Sequence, residues 1–132
     1  MKSVIVKGNC MQIIRALFFT LIIISQGNLA KETLNVNYSS NIEPIAINVM
    51  HEWILTIESA DGYPVTNADV AVEGGMPEHN HGLPTQPKVT KNLGNGRYLL
   101  QGVRFHMSGF WEMKVTIRVE GYEHVVIFPL EL

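Results

Sequence analysis

With 132 residues and a formal net charge of −2, the chain suits one domain and carries no excess of positive charge to hold a phosphate backbone. No basic stripe with interleaved aromatics runs through it, so nucleic acid is excluded as an expected partner. A single cysteine, Cys10, rules out an internal disulfide framework.

The first thirty residues read differently from the rest. Lys2, Lys7 and Arg15 precede an uninterrupted apolar run, Ala16-Leu17-Phe18-Phe19-Thr20-Leu21-Ile22-Ile23-Ile24, and Ser25 to Ala30 follow with small and polar residues. This is the order of a secretory signal peptide, with Met11 as an alternative start. A cut after Ala30 and a periplasmic or secreted location are therefore expected. The apolar run is shorter than the ~20 residues that a membrane span needs. An uncleaved anchor is the alternative, because Asn28 stands three residues before the cut; only in that case is membrane association expected. Removal of residues 1–30 takes Cys10, three of the ten basic residues and none of the twelve acidic ones, moving the formal charge from −2 to −5. Cys10 precedes the apolar run, so it cannot serve for lipid attachment.

Residues 31–47 read as a linker that can carry an edge strand, since Leu34, Val36 and Tyr38 alternate with polar residues. From Val49 the period is two: Val49, His51, Trp53, Leu55 and Ile57 share one face, which argues a half-buried strand. Ala60-Asp61-Gly62-Tyr63-Pro64 is a turn, and Ala68 to Glu73 a second strand. Next comes Gly74-Gly75-Met76-Pro77-Glu78-His79-Asn80-His81-Gly82-Leu83-Pro84, whose glycines and prolines argue a loop. Lys88 to Lys91 can form a short strand, and Leu93-Gly94-Asn95-Gly96 is a hairpin signal. Arg97 to Val103 follows, with Tyr98 and Leu100 inward. After Arg104-Phe105-His106-Met107-Ser108-Gly109, Trp111, Met113, Val115, Ile117 and Val119 alternate cleanly with polar residues. Gly121 turns the chain into a last strand, His124 to Phe128, which Pro129 is expected to end. No 3.6-residue apolar stripe is present. Short strands separated by Gly/Pro turns predict an all-β, immunoglobulin-like antiparallel β-sandwich of about 6–8 strands over residues 48–132.

Strand parity then locates the metal donors. Antiparallel succession places the loop after 68–73, the loop after 97–103 and the start of the 49–57 strand at the same pole. Met50, His51, Met76, His79, His81, His106 and Met107 are thereby gathered. His79 and His81, two apart, share a side if the backbone is extended. His106 and Met107 are adjacent, so one of them is expected to face a shared site. Imidazole suits copper and zinc, and thioether selects Cu(I), so a cysteine-free His/Met set points to copper before zinc. The expected ligands are His79, His81, His106, Met76 and Met107. The competing structural reading makes His51 a hydrogen-bonded core histidine, the methionines gap fillers, and the loop histidines solvated polar residues. Trp53 and Trp111 read as core. No nucleophile elbow, phosphate loop or cysteine nucleophile is present, so no enzymatic activity is expected. Three histidines around an open zinc remain a minor hydrolytic alternative.

Gly75-Met76-Pro77 with His79 and His81-Gly82, Pro84, Pro87, Gly96-Arg97-Tyr98, and Phe105-His106-Met107-Ser108-Gly109 with Trp111 together resemble the YtkA-like/FixH-like group of small bacterial extracytoplasmic β-sandwich domains, over about residues 48–128. The resemblance implies an exported accessory domain linked with copper or cytochrome-oxidase proteins, and a periplasmic or membrane copper/respiratory protein as partner. The alternative is a non-enzymatic structural or interaction module of the cell envelope that holds no metal.

Overall fold

The computed structural model describes residues 32–132; the signal-peptide expectation over residues 1–30, and Cys10, lie outside the described residues. Eight strands form in chain order: β1 (Leu34–Ser40), β2 (His51–Ser59), β3 (Asp69–Met76), β4 (His81–Gly82), β5 (Lys88–Gly94), β6 (Arg97–Val103), β7 (Phe110–Val119) and β8 (Tyr122–Glu131). One sheet has the order β1-β2-β6-β5, the other β4-β3-β7-β8, and every pairing is antiparallel. The chain is an all-β, two-sheet sandwich.

Alternation decides what lies between the sheets. From β2 come His51, Trp53, Leu55 and Ile57, from β6 Tyr98, Leu100 and Val103, and from β7 Trp111, Met113, Val115 and Ile117. Each of these fully buried aliphatic and aromatic side chains removes apolar area worth about 1.5–3 kcal/mol from water. Tyr38 of β1 stacks on Trp53 at a centroid distance of 4.3 Å and meets Phe128 edge-on at 4.9 Å, so the edge strand closes one side of the core. Outward-facing charges on the second sheet pair across strands, Lys114 with Glu73 at 3.3 Å and Arg118 with Glu123 at 3.0 Å. Being exposed, these contribute little to stability and mainly suit the register.

Two turns share one geometry. Asn95 and Gly96 have φ of 50° and 71°, and Glu120 and Gly121 of 52° and 80°, the paired positive values of a two-residue hairpin whose twist matches its strands. At Gly96 even one methyl group has no room, since a Cβ there would stand 2.4 Å from the Ile57 carbonyl oxygen.

Leu34–Ser40 pairs along its whole length with β2 and forms an edge of the first sheet, as the alternation of Leu34, Val36 and Tyr38 suggested. Three details depart from the sequence reading. Val49 stands outside β2 and is exposed. β3 runs on through Gly74-Gly75-Met76, bonded to β7 on one side and to β4 on the other; small glycines pass through a central strand where the neighbours fill the space. Pro129 does not end β8. Gly109 and Leu132 exchange both backbone hydrogen bonds, 2.6 and 3.1 Å, so by antiparallel alternation the Glu112–Pro129 pair is a non-bonded one. The missing N–H of Pro129 thus faces away from the ladder, as an edge strand tolerates.

Candidate functional site

The segment expected as a loop is a hairpin. Met76 pairs with His81 and Gly75 with Gly82, and the Leu83 N–H donates to the Gly74 carbonyl at 3.0 Å. Between them Pro77–His79 makes a single 3-10 turn, and Asn80 reverses it in the left-handed region with φ 52°. Asparagine accepts that conformation at low cost. The backbone from His79 to His81 is consequently not extended, and the shared-side argument fails there. The turn instead leaves the His79 and His81 rings stacked with centroids 5.9 Å apart.

Direct partners in an antiparallel pair project to the same face. Met76 is 1% exposed, within the core, so His81 also projects toward the interior. There it meets the loop after β6: the His81 and His106 rings lie 5.1 Å apart. The strand parity of the sequence therefore does bring the two donor-bearing segments to one pole. Behind both rings stands the Trp111 indole, 5.8 Å from His81 and 5.6 Å from His106, edge to face with each. The indole is fixed by donating Nε1–H to the Met107 carbonyl at 3.0 Å and by Phe105, 5.3 Å away. Trp111 was expected only as core; its contact with both histidines was missed, although its position two residues after Gly109 made it the first inward residue of β7.

Hydrogen bonding distinguishes these histidines from their neighbour. His51 is fully buried. Its Nε2–H donates to the Ala46 carbonyl at 2.8 Å, and the Ser40 hydroxyl donates to Nδ1 at 3.2 Å. Both nitrogens are used, which is the structural role expected of it. His81 Nδ1 meets the Gly82 carbonyl at 3.2 Å. A carbonyl only accepts, so Nδ1 carries the hydrogen and the neutral ring keeps its lone pair on Nε2. That Nε2 is buried without a hydrogen-bond partner, and so is Nδ1 of His106. Buried polar atoms are nearly always satisfied, so two orphans on facing rings call for an explanation.

The expected ligands thus divide. His81 and His106 come together. Met76 is a core residue as well as the cross-strand partner of His81, and its Cε ends under Gly109, where an added Cβ would stand 3.0 Å away. His79 is exposed and touches the pair only through His81. Met107 is 38% exposed and gives the site its backbone carbonyl through Trp111. Among the described residues no three His, Cys, Asp or Glu side chains converge to hold an ion. The three histidines are therefore not gathered as one ligand set among the described residues. A shallow groove of about 420 Å³ borders the hairpin, lined by Met76 and His81 together with Glu73, Glu112, Lys114 and Ile127 of the second sheet.

Among the described residues no helix is long and apolar enough to cross a membrane. A family model described as YtkA-like matches residues 29–116, a span that takes in β1, the whole 76–81 hairpin, His106 and Trp111. Searches of curated proteins and of solved structures returned no match.

Proposed function

Because the chain belongs to the YtkA-like family, we propose that it acts as an exported, non-catalytic domain that binds and hands on copper at the His81/His106 pole. The observation that carries this reading is the pair of buried imidazole nitrogens, His81 Nε2 and His106 Nδ1, that lack any hydrogen-bond partner on rings 5.1 Å apart. Neutral imidazole nitrogen is a good donor to copper, and a lone pair left without a proton donor in an apolar setting is available to a metal at no cost in broken hydrogen bonds. The residues present therefore fit the metal. The Gly82 carbonyl orients His81 by holding its other nitrogen, the arrangement that commonly fixes a ligating ring.

Absence of cysteine from residues 31–132 rules out a blue-copper electron-transfer centre, which requires a thiolate. A neutral, few-membered ligand set at the rim of a sandwich suits uptake and release, and a copper or respiratory protein of the cell envelope is the partner that such a role would serve. The test is metal retention: mass spectrometry of the purified protein after incubation with copper and desalting. One bound copper per chain is expected, lost in the His81→Leu/His106→Leu double variant. Failure of the wild-type protein to retain copper at micromolar concentration would overturn the reading.

A further inference from the structure

Copper has two accessible oxidation states with different demands, and the environment of the histidine pair distinguishes between them. We propose that His81 Nε2 and His106 Nδ1 form a site for one monovalent copper ion, with the Met76 thioether as a soft third donor and the Trp111 indole as its inner wall. This inference rests on the copper reading above and specifies its ligands and oxidation state.

Donor number comes first. Divalent copper takes tetragonal sets of nitrogen and oxygen donors, and zinc takes four in a tetrahedron. No three His, Cys, Asp or Glu side chains converge among the described residues, so the side chains at the pole supply fewer donors than either set prefers. A d10 monovalent ion accepts two or three donors without loss of ligand-field stabilisation.

Charge points the same way. The pair faces Trp111, itself packed on Phe105, and among the described residues no carboxylate forms an ion pair with either ring. Glu78 is exposed in the turn, and of the two carboxylates in the groove that Met76 and His81 also line, Glu73 is paired with Lys114 and Glu112 contacts neither imidazole. A buried ion with no compensating anion is disfavoured in proportion to the square of its charge, which penalises a dication far more than a monocation. The indole face adds attraction for a monocation without supplying a ligand.

Sulfur placement is the third point. Met76 starts as the strand partner of His81 and ends under Gly109, in the loop that carries His106. Its thioether therefore spans the gap between the two histidine-bearing segments, and thioether is a soft ligand selective for monovalent copper. His79, stacked on the outer side of His81, lies where an incoming or departing ion would pass and is not needed for holding it.

The experiment is an anaerobic titration of the purified protein with Cu(I), supplied as its acetonitrile complex against a chromogenic Cu(I) chelator, with Cu(II) and Zn(II) titrated in parallel. Tryptophan fluorescence is a second readout, because the ion would sit against Trp111 and leave Trp53 apart. One equivalent of Cu(I) is expected, bound more tightly than Cu(II) or Zn(II) and quenching part of the emission. Trp111→Phe should abolish most of the quenching while Cu(I) is still bound. His81→Leu and His106→Leu should each weaken Cu(I) by more than the roughly 100-fold that losing an outer-shell partner can cost, and His79→Ala should change it by less than about tenfold. Thermal melts confirm folding of each variant, and His81→Gln and His106→Gln replace any leucine variant that fails to fold. Preference for Cu(II) or Zn(II), or Cu(I) affinity kept in the His81 or His106 variants, overturns this site while leaving copper binding intact. Retention of no copper in either state overturns both.

Discussion

The two ends of the sandwich are built from the same eight strands and treat their polar groups in opposite ways. At the end holding the Asn95-Gly96 and Glu120-Gly121 turns, two connections turn in two residues, and the longer one between β2 and β3 is tied down by hydrogen bonds. The Tyr98 hydroxyl donates to the Val65 carbonyl at 2.7 Å and accepts the Ala68 N–H at 3.0 Å, while Ile57 N–H donates to the Gly96 carbonyl at 2.8 Å. At the other end the connections are long, and His81 Nε2, Thr85 Oγ1, Arg104 Nε and His106 Nδ1 are buried without hydrogen-bond partners. His51, also at that end, shows that the difference does not come from histidine itself: with Ser40 and Ala46 as partners it is a structural residue. One end therefore serves stability. The other keeps unused donors and acceptors in place, which costs stability and makes sense where a ligand completes them.

If that contrast is right, replacing a paired polar group and replacing an orphaned one should differ in effect. The largest effect is expected at the tight end. Gly96→Ala forces a side chain into φ 71° and against the Ile57 carbonyl, and should destabilise by on the order of 3 kcal/mol in urea unfolding. Next, His51→Leu takes the donor from the Ala46 carbonyl and the acceptor from the Ser40 hydroxyl proton and should cost about 1–3 kcal/mol. Tyr98→Phe, by the same reasoning, should cost about 1–2 kcal/mol. Against these, His81→Leu and His106→Leu each remove an orphaned nitrogen. In metal-free protein they should fall within about 1 kcal/mol of wild type or be more stable, because a desolvated polar atom is replaced by an apolar one. A loss of 2 kcal/mol or more from either would show that its nitrogen is satisfied in solution and would break the comparison.

The smallest effect is confined to alkaline solution. Burial, and then the Glu43 carboxylate, raise the Tyr38 phenol above its ordinary 10.0. The folded state thus holds the proton more tightly than the unfolded chain. Stability contributed this way is complete below pH 10, falls as pH rises toward the folded value, and is gone above it. A Tyr38→Phe variant, which keeps the ring against Trp53, should lack that alkaline decline in unfolding midpoint measured between pH 9 and 12.

Much of the architecture was legible in the order of residues. β7 and β6 coincide with their expected spans, Phe110–Val119 and Arg97–Val103, because one face of each meets the core: β7 keeps a period of two from Trp111 to Ile117, and β6 keeps it through Tyr98 and Leu100 before slipping by one to Val103. Asn95-Gly96 announced its hairpin through the one dipeptide that enters paired positive φ cheaply. The 74–84 segment was misread for the converse reason. Its glycines suggested a loop, yet they form strand because Met113 and Leu83 occupy the volume above Gly74, where a Cβ would stand 2.5 and 2.7 Å from their side-chain atoms. Pro129 misled similarly: whether a proline ends a strand depends on which side of the ladder its nitrogen faces, and the count from the Glu120-Gly121 turn settles that.

By itself the sequence determined which end of the molecule carries imidazole and thioether, because the number of strand reversals between two segments is a property of covalent order. It also determined that residues 31–132 bring no thiolate. Tertiary structure alone decided which donors meet. His81 reaches His106 because the 3-10 turn and the left-handed Asn80 pair it with the inward-facing Met76, and because Trp111 of β7 provides the wall on which both rings rest. His79, chemically identical and two residues away, is left outside by the same turn. Selection among like side chains depends on face and register, and these are fixed only when two sheets close on a common core.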